Sequence, residues 1–304
     1  MRFGFSYIVM MVLGAMLISS CKDDLVFTGS KDEKRIVAVI TAEEGKQISV
    51  EIHESQLITE DTLAKPIQGA EVRLYQNSTL VETKQSPANG IFKTNFISDQ
   101  LDSLRVVVQK DGYNRIEGTA QIPDHVNIIQ FDTVARAGSD LLMKMAFIDR
   151  ASIANFYLID MRLKRWIYTL HPINGSRIDS TLVWEAVDIE SPNKLFFSDQ
   201  NIVTNSQKFE LFNDKVFNGQ YFVLDLQLNS FLLRETQAKG KAKEIEVELR
   251  NVNEEYYDFL TSLSLNRPIY GGPFAVSAQI PGNIHGGYGI FAAYTSTRAT
   301  IVMP

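Results

Sequence analysis

From Arg35 onward, apolar and polar side chains alternate in short runs, the period of a strand with one buried face. RIVAVIT (35–41), KQISVEIHE (46–54), EVRLYQ (71–76), TLVETK (79–84), IFKTNF (91–96) and LRVVVQK (104–110) follow one another closely. Turn residues such as Pro87-Ala88-Asn89-Gly90 and Asp111-Gly112 separate them. Short strands at that spacing predict an antiparallel sandwich. Gln121-Ile122-Pro123-Asp124 reads as a joint, because proline stops ladder pairing. Beyond it the pattern resumes in LLMKMAFID (141–149), NFYLIDMRL (155–163), RWIYTL (165–170), TLVWEAVDI (181–189), KLFFSD (194–199), QKFELF (207–212), QYFVLDLQL (220–228) and KEIEVELRNV (243–252). One helix is expected over 253–263. Asn253 suits the N-cap and Glu254-Glu255 the first turn. Tyr256, Phe259, Leu260 and Leu263 form one apolar stripe that packs on a core. The expected fold is therefore mainly β: a sandwich over 35–122, then a second antiparallel β-rich domain over 123–304 with one short helix.

Composition narrows the function classes. Hydrophobic residues make up 45% and charged residues 22% of the 304, which excludes wholesale disorder. A net charge of −6 gives no basic footprint for nucleic acid, so no nucleic-acid partner is expected. Cys21 is the only cysteine, which excludes internal disulfides and cysteine metal clusters. His53, His125, His171 and His285 make no H-x-x-x-H pair, and no Asp-x-Asp-x-Asp calcium loop occurs. No G-x-S-x-G or S-x-x-K nucleophile motif occurs either, so no catalytic residue, metal or cofactor is assigned. A glycosidase-type carboxylate pair stays open, since its spacing is set in space and not in sequence. Exposed aromatics would mark glycan or peptide capture, with Trp166, Tyr168 and Trp184 the first to check; burial is the expectation for most of them.

The N-terminus reads as an address. Arg2 precedes an apolar run from Tyr7 to Ile18, the length of a signal-peptide core and too short to span a bilayer. Leu17-Ile18-Ser19-Ser20-Cys21 resembles the bacterial lipobox, which implies cleavage after residue 20 and a lipid on Cys21. Lys22-Asp23-Asp24 resembles the surface-export signal of Bacteroidota lipoproteins, and residues 21–34 make a polar tether.

Two further resemblances bear on the body of the chain. Pro66-Ile67-Gln68-Gly69-Ala70-Glu71-Val72, Asn89-Gly90-Ile91-Phe92 and Lys110-Asp111-Gly112-Tyr113 resemble the Ig-like carboxypeptidase-regulatory or prealbumin-like sandwich, which implies a scaffold. The C-terminal order, VNEEYYDFLTSL followed by Gly271-Gly272-Pro273-Phe274 and by Asn283-Ile284-His285-Gly286-Gly287-Tyr288-Gly289-Ile290-Phe291, resembles a Bacteroidota outer-membrane lipoprotein family defined by a domain of unknown function, family 4249. Phe147-Ile148-Asp149, Asn155-Phe156-Tyr157, Ser198-Asp199 and Phe217-Asn218-Gly219 agree with it. The proline that the family carries shortly after Phe274 is absent. Asn283, Gly286, Gly287, Gly289 and Phe291 form a motif loop of unassigned role; three glycines in so short a span imply tight turns or a close backbone approach, and a structural turn is preferred over a ligand loop.

Together these features lead to one expectation. The chain is an outer-membrane lipoprotein held by the lipid on Cys21 and displayed at the cell surface, with the periplasmic face as alternative. It is expected to be a non-enzymatic accessory to a TonB-dependent receptor in nutrient or macromolecule uptake. The alternatives are a glycan-directed surface hydrolase and a structural or adhesive envelope protein. Asp61-Thr62-Leu63, Asp102-Ser103-Leu104, Asp132-Thr133-Val134 and Asp179-Ser180-Thr181 also resemble Bacteroidota O-glycosylation sites, although Asp-Ser/Thr pairs equally mark turns.

Overall fold

The computed structural model describes residues 34–56, 63–137, 140–151, 153–192, 202–204, 207–265 and 280–303. Cys21 with its leader and most of its tether, Thr62, the run 194–199 and Gly271–Phe274 lie outside them. Residues 34–304 form one compact unit. The protein is mainly β, with a single α-helix among the described residues.

The first seven strands are β1 (Ile36–Glu43), β2 (Gln47–Glu54), β3 (Glu71–Gln76), β4 (Thr79–Gln85), β5 (Ile91–Ile97), β6 (Ser103–Gln109) and β7 (Ile116–Gln121). Then come β8 (Ile128–Ala137), β9 (Asp140–Ile148), β10 (Phe156–Leu170), β11 (Arg177–Val187), β12 (Ile202–Thr204), β13 (Gln207–Asn213), β14 (Tyr221–Asn229) and β15 (Glu244–Val252). Helix α1 (Glu254–Leu265), β16 (Ile284–His285) and β17 (Tyr288–Val302) close the chain. The alternation seen in sequence sets the faces. In β1 the side chains of Ile36, Ala38, Ile40 and Ala42 are buried, and in β2 those of Ile48, Val50 and Ile52.

Three sheets result. A nine-stranded sheet runs β12-β13-β10-β15-β17-β1-β2-β5, with β11 paired to β10. A five-stranded sheet runs β16-β7-β6-β3-β4 and a three-stranded one β14-β9-β8. The five-stranded sheet packs on the β1, β2 and β17 end of the long sheet around Ile40, Val50, Leu74, Val106 and Phe291. The three-stranded sheet packs on β10 and β15 around Met145, Phe147, Tyr157, Leu163 and Val247. Both are two-layer arrangements that bury one face of each sheet.

The joint expected at 122/123 does not interrupt the long sheet. β17, from the end of the chain, lies between β15 and β1. It pairs antiparallel with β15 and parallel with β1, the one parallel pair among otherwise antiparallel described ladders. The core of the first layered pair therefore takes Ile284, Phe291 and Ala293 from the C-terminus.

Helix α1 follows Asn253 as its sequence suggests, and it lies on the other face of the long sheet. Tyr257 and Leu260 are buried against Leu158, Phe209, Leu211 and Val252, with Tyr256, Phe259 and Leu263 partly buried beside them. The Asn253 side chain is used differently from the expected cap. Its Oδ1 accepts from the Ala293 N–H at 2.9 Å, and its Nδ2 donates to Glu255 Oε2 at 2.7 Å. It ties the helix start to β17. No helix among the described residues is long and apolar enough to cross a membrane.

Candidate functional site

The motif loop at 283–291 joins β16 to β17 and is wedged between β1 and β7. Asn283 organises it. Its Oδ1 accepts from the Phe291 N–H at 2.7 Å, while its Nδ2 donates to the carbonyls of Phe291 and Thr119, each at 3.0 Å. Ile284 pairs with Gly118 of β7, and a side chain at 118 would meet Ile284 Cδ1 at 2.5 Å. Two of the loop's glycines are in left-handed backbone, Gly286 at φ 81° and Gly289 at φ 120°. Both also face backbone: a Cβ would lie 2.3 Å from the Arg115 carbonyl at Gly286 and 1.9 Å from the Ala38 carbonyl at Gly289. At Gly287 a Cβ would lie 2.4 Å from the Ile36 carbonyl. The space at these glycines is thus occupied by the protein's own strands, and Phe291 is fully buried behind them. The loop acts as the seam that lets β17 join β1 in parallel. Asn283→Ala removes three hydrogen bonds and is expected to cost about 2–3 kcal/mol at roughly 1 kcal/mol per bond, read as a lower urea midpoint with unchanged slope.

The other described motif fragments, at 147–149, 155–157 and 217–219, also meet in space. Asp149 accepts from the Tyr157 hydroxyl at 2.5 Å and from the Gly219 N–H at 2.7 Å. Burial pushes the Asp149 carboxyl up, with the Tyr157 and Gly219 hydrogen bonds opposing it. Burial pushes the Tyr157 phenol well above its ordinary value, reinforced by Asp149. Beside them Asp214 Oδ2 accepts from the Asn155 N–H at 2.8 Å and from Asn218 Nδ2 at 2.9 Å. Asn251 donates to Asn155 Oδ1 at 3.2 Å and to the Asp124 carbonyl at 3.1 Å, and Thr295 reaches the same carbonyl at 2.9 Å. Phe147, Tyr157, Phe212, Phe217 and Phe222 stack and cross edge to face beneath this network. The motif residues hold loops 149–155 and 213–220 to each other and to the joint at Asp124. A groove of about 420 Å³ lies over this joint, lined by Leu101, Pro123, Asp124, Phe156, Asn253 and Glu254 among others.

A charged layer, unremarked in the sequence, covers the helix-bearing face of the long sheet. Asp160, Arg162 and Lys164 of β10 stand opposite Glu248, Glu246 and Glu244 of β15. Arg250 reaches Asp160 at 2.8 Å and Glu248 at 2.7 Å, and Arg298 of β17 reaches Glu248 at 3.0 Å. Burial raises the Asp160 carboxyl despite Arg250; Glu248, though buried too, is held below the ordinary range by Arg250 and Arg298. Its signal was present in Glu244, Glu246, Glu248 and Arg250: charges at period two place a charged row on one face of a strand.

The aromatic candidates share one surface. Trp166 and Tyr168 of β10 lie opposite Leu182 and Ser180 of β11, and Trp184 lies opposite Lys164. Trp184 is exposed, with Lys164 5.3 Å from its ring; Trp166 and Tyr168 are half-buried under Lys243 and Arg177. The histidines are dispersed. His53 contacts Glu51 at 2.6 Å, His125 contacts Glu44 at 2.6 Å, and the His285 backbone pairs with Glu117. Among the described residues no group of three or more His, Cys, Asp or Glu is placed to hold a metal ion. Of the Asp-Ser/Thr sites, Ser103, Thr133 and Ser180 are exposed.

Comparison with known proteins completes the description. No curated protein matches the chain. Among solved structures, the chitinase ChiA74 from Bacillus thuringiensis aligns at 9% identity and a TM-score of 0.18, over 70% of this chain and 28% of the chitinase, so the chain spans under a third of that protein. Bovine butyrophilin aligns at 8% identity and a TM-score of 0.18, over 89% of this chain and 99% of its own. Similarity that low bears on neither fold nor activity. The family comparison is of another kind: residues 23–300 match the family described as Domain of unknown function (DUF4249), a span that takes in both layered cores, the Asp149–Asp214 network and the glycine seam. The chain belongs to that family.

Proposed function

We propose that this protein is a lipid-anchored outer-membrane protein, displayed at the cell surface, that works by binding and not by catalysis. In this reading it is an accessory to a TonB-dependent receptor and helps capture a nutrient or macromolecule. The observation that carries it is the N-terminal address: the apolar run from Tyr7 to Ile18 ends at Ser19-Ser20-Cys21, the only thiol in the chain, and the charged tether Lys22-Asp23-Asp24 follows. The geometry of the family motifs supports a scaffold. The space at Gly286, Gly287 and Gly289 is taken by the chain's own backbone, and Asp149, Asn155 and Asp214 spend their hydrogen-bonding groups on neighbouring loops. Groups engaged in this way hold a shape and are not poised for proton transfer.

Two experiments test the reading. Cys21→Ser is expected to abolish incorporation of labelled fatty acid and to move the protein from the membrane to the soluble fraction, since one cysteine carries the whole anchor. Persistent membrane attachment of that variant would remove the anchor from the reading. Affinity capture of the lipidated protein from its own outer membrane, in mild detergent, is expected to bring down one TonB-dependent barrel in stoichiometric amount. Recovery of the lipoprotein alone, in repeated trials, overturns the receptor assignment.

A further inference from the structure

We infer that Asn174, at the tip of the β10–β11 hairpin, is a site of spontaneous modification: its side chain closes on the Gly175 nitrogen to a cyclic imide, which water opens to aspartate or isoaspartate. The chain holds three Asn-Gly pairs, Asn89-Gly90, Asn174-Gly175 and Asn218-Gly219. Glycine after asparagine leaves the attacking backbone nitrogen unshielded, because no Cβ stands beside it. The dipeptide alone therefore ranks the three alike, and the fold separates them. At Asn218 the reacting groups are held. Its Nδ2 donates to the Ile153 carbonyl at 2.8 Å and to Asp214 Oδ2 at 2.9 Å, and the Gly219 N–H donates to the buried Asp149 carboxylate at 2.7 Å. At Asn89 the following peptide is packed in place. Gly90 is buried, its carbonyl accepts from the Ile52 N–H at 2.9 Å, and a Cβ there would lie 2.4 Å from the Ile52 carbonyl. That peptide has no room to swing its nitrogen onto the side-chain carbon.

Asn174 differs from both. It is exposed, in the connection 171–176 between the two strands. Its Oδ1 accepts from the Ser176 N–H at 3.0 Å and from the Ser176 hydroxyl at 2.8 Å. Asn89 Oδ1, by contrast, accepts from the Ile91 N–H at 3.3 Å. When the Gly175 nitrogen adds to Asn174 Cγ, the side-chain oxygen gains negative charge. Two donors already point at it, which is the arrangement that stabilises a tetrahedral oxyanion. The Gly175 N–H must first leave the His171 carbonyl, 2.9 Å away; Gly90 carries a similar bond to Pro87 at 3.0 Å, so this step does not set the order. The bonds balance with water as the one co-reactant. The bond from Gly175 nitrogen to Cγ forms and the nitrogen's proton passes to solvent base. The bond from Cγ to Nδ2 breaks, and Nδ2 takes a proton from water and leaves as ammonia. Water then adds to one imide carbonyl and breaks its bond to nitrogen. Opening at Cγ gives aspartate; opening at the main-chain carbonyl gives isoaspartate, whose backbone runs one carbon longer. That extra carbon displaces Gly175, whose carbonyl accepts from Gln237 Nε2 at 3.0 Å, and so loosens the tip from the 235–239 loop.

The test is incubation of the purified folded protein in mildly alkaline buffer, with a parallel sample in concentrated urea. Peptide mapping by mass spectrometry follows the amide-to-acid change at each of the three sites, and isoaspartate-specific methylation identifies the longer-backbone product. In the folded sample Asn174 is expected to convert first, Asn89 later and Asn218 last. In urea, where the fold no longer separates them, the three rates are expected to draw together. Ser176→Ala removes the hydroxyl donor from an exposed loop and leaves the fold intact by circular dichroism. It is expected to slow conversion at Asn174 about threefold to tenfold in the folded sample, the worth of one hydrogen bond, and to have a smaller effect in urea. Conversion at Asn89 or Asn218 ahead of Asn174 in the folded protein overturns the proposal. So does an Asn174 that the fold protects relative to urea, or a folded rate that Ser176→Ala leaves unchanged.

Discussion

Gly289→Ala is expected to be the most damaging single-methyl change in the described structure, lowering stability by about 4 kcal/mol or more and leaving little folded protein at 37 °C. Two costs combine. Gly289 sits at φ 120°, a conformation that side chains rarely adopt, and its Cβ would lie 1.9 Å from the Ala38 carbonyl. That carbonyl belongs to β1, whose parallel register places Ala38 beside Gly289, so relief requires β17 to separate from β1. Gly45→Ala separates the two costs. Gly45 has φ 71°, and a Cβ there would meet nothing within 4 Å, so only the backbone penalty of about 1–2 kcal/mol applies. Urea unfolding of the two variants checks this, and equal midpoints would mean that the close approach to β1 carries no energy.

Arg250→Met is the second large effect, about 3–5 kcal/mol at neutral pH. It leaves Asp160 and Glu248 without the cation between them in a buried layer, and an uncompensated buried charge costs more than the pair gains when intact. Glu248 keeps Arg298 at 3.0 Å and Arg162 at 3.7 Å, so Asp160 bears most of the loss. Burial already raises the Asp160 carboxyl, and removing Arg250, the largest opposing influence, raises it further. A folded pKa above the unfolded one means a penalty that is full above the folded value and vanishes below the unfolded value near 4. The deficit of Arg250→Met therefore shrinks as pH falls from about 7 toward about 4, and Asp160→Asn in that background restores part of the stability at pH 7. A deficit that does not change with pH would show that buried charge is not its cause.

Much of this architecture is legible residue by residue. The alternation in β1 and β2 foretells which side chains are buried, because adjacent residues on a strand point to opposite faces whatever the partner. The stripe Tyr256, Phe259, Leu260 and Leu263 foretells a helix lying on a core, although Tyr257 proves as buried as Leu260 because the helix meets β10 and β13 together. Asn283 and its glycines announce tight backbone, and they could be read that way because glycine is required by backbone geometry alone. The strand that the glycines press against could not be read. Gly289 meets Ala38, about 250 positions away, and the pair leaves no local pattern in either segment. The roles of Asp149, Asn155 and Asp214 were likewise closed to inspection, since a carboxylate is satisfied by whichever donors the fold delivers.

By itself, then, the sequence determined the strand-rich class, the buried faces, the place of the helix, the need for left-handed turns near the C-terminus and membership of a lineage recognisable by its motifs. All of these depend on neighbours within a few residues. The tertiary structure alone decided that β17 joins β15 to β1, that the first core is completed from the end of the chain, and that charges at period two on β10 and β15 meet as a layer. Those outcomes depend on strand register over long separations. Register is selected by the packing of whole faces against one another, and no short stretch of the chain records it.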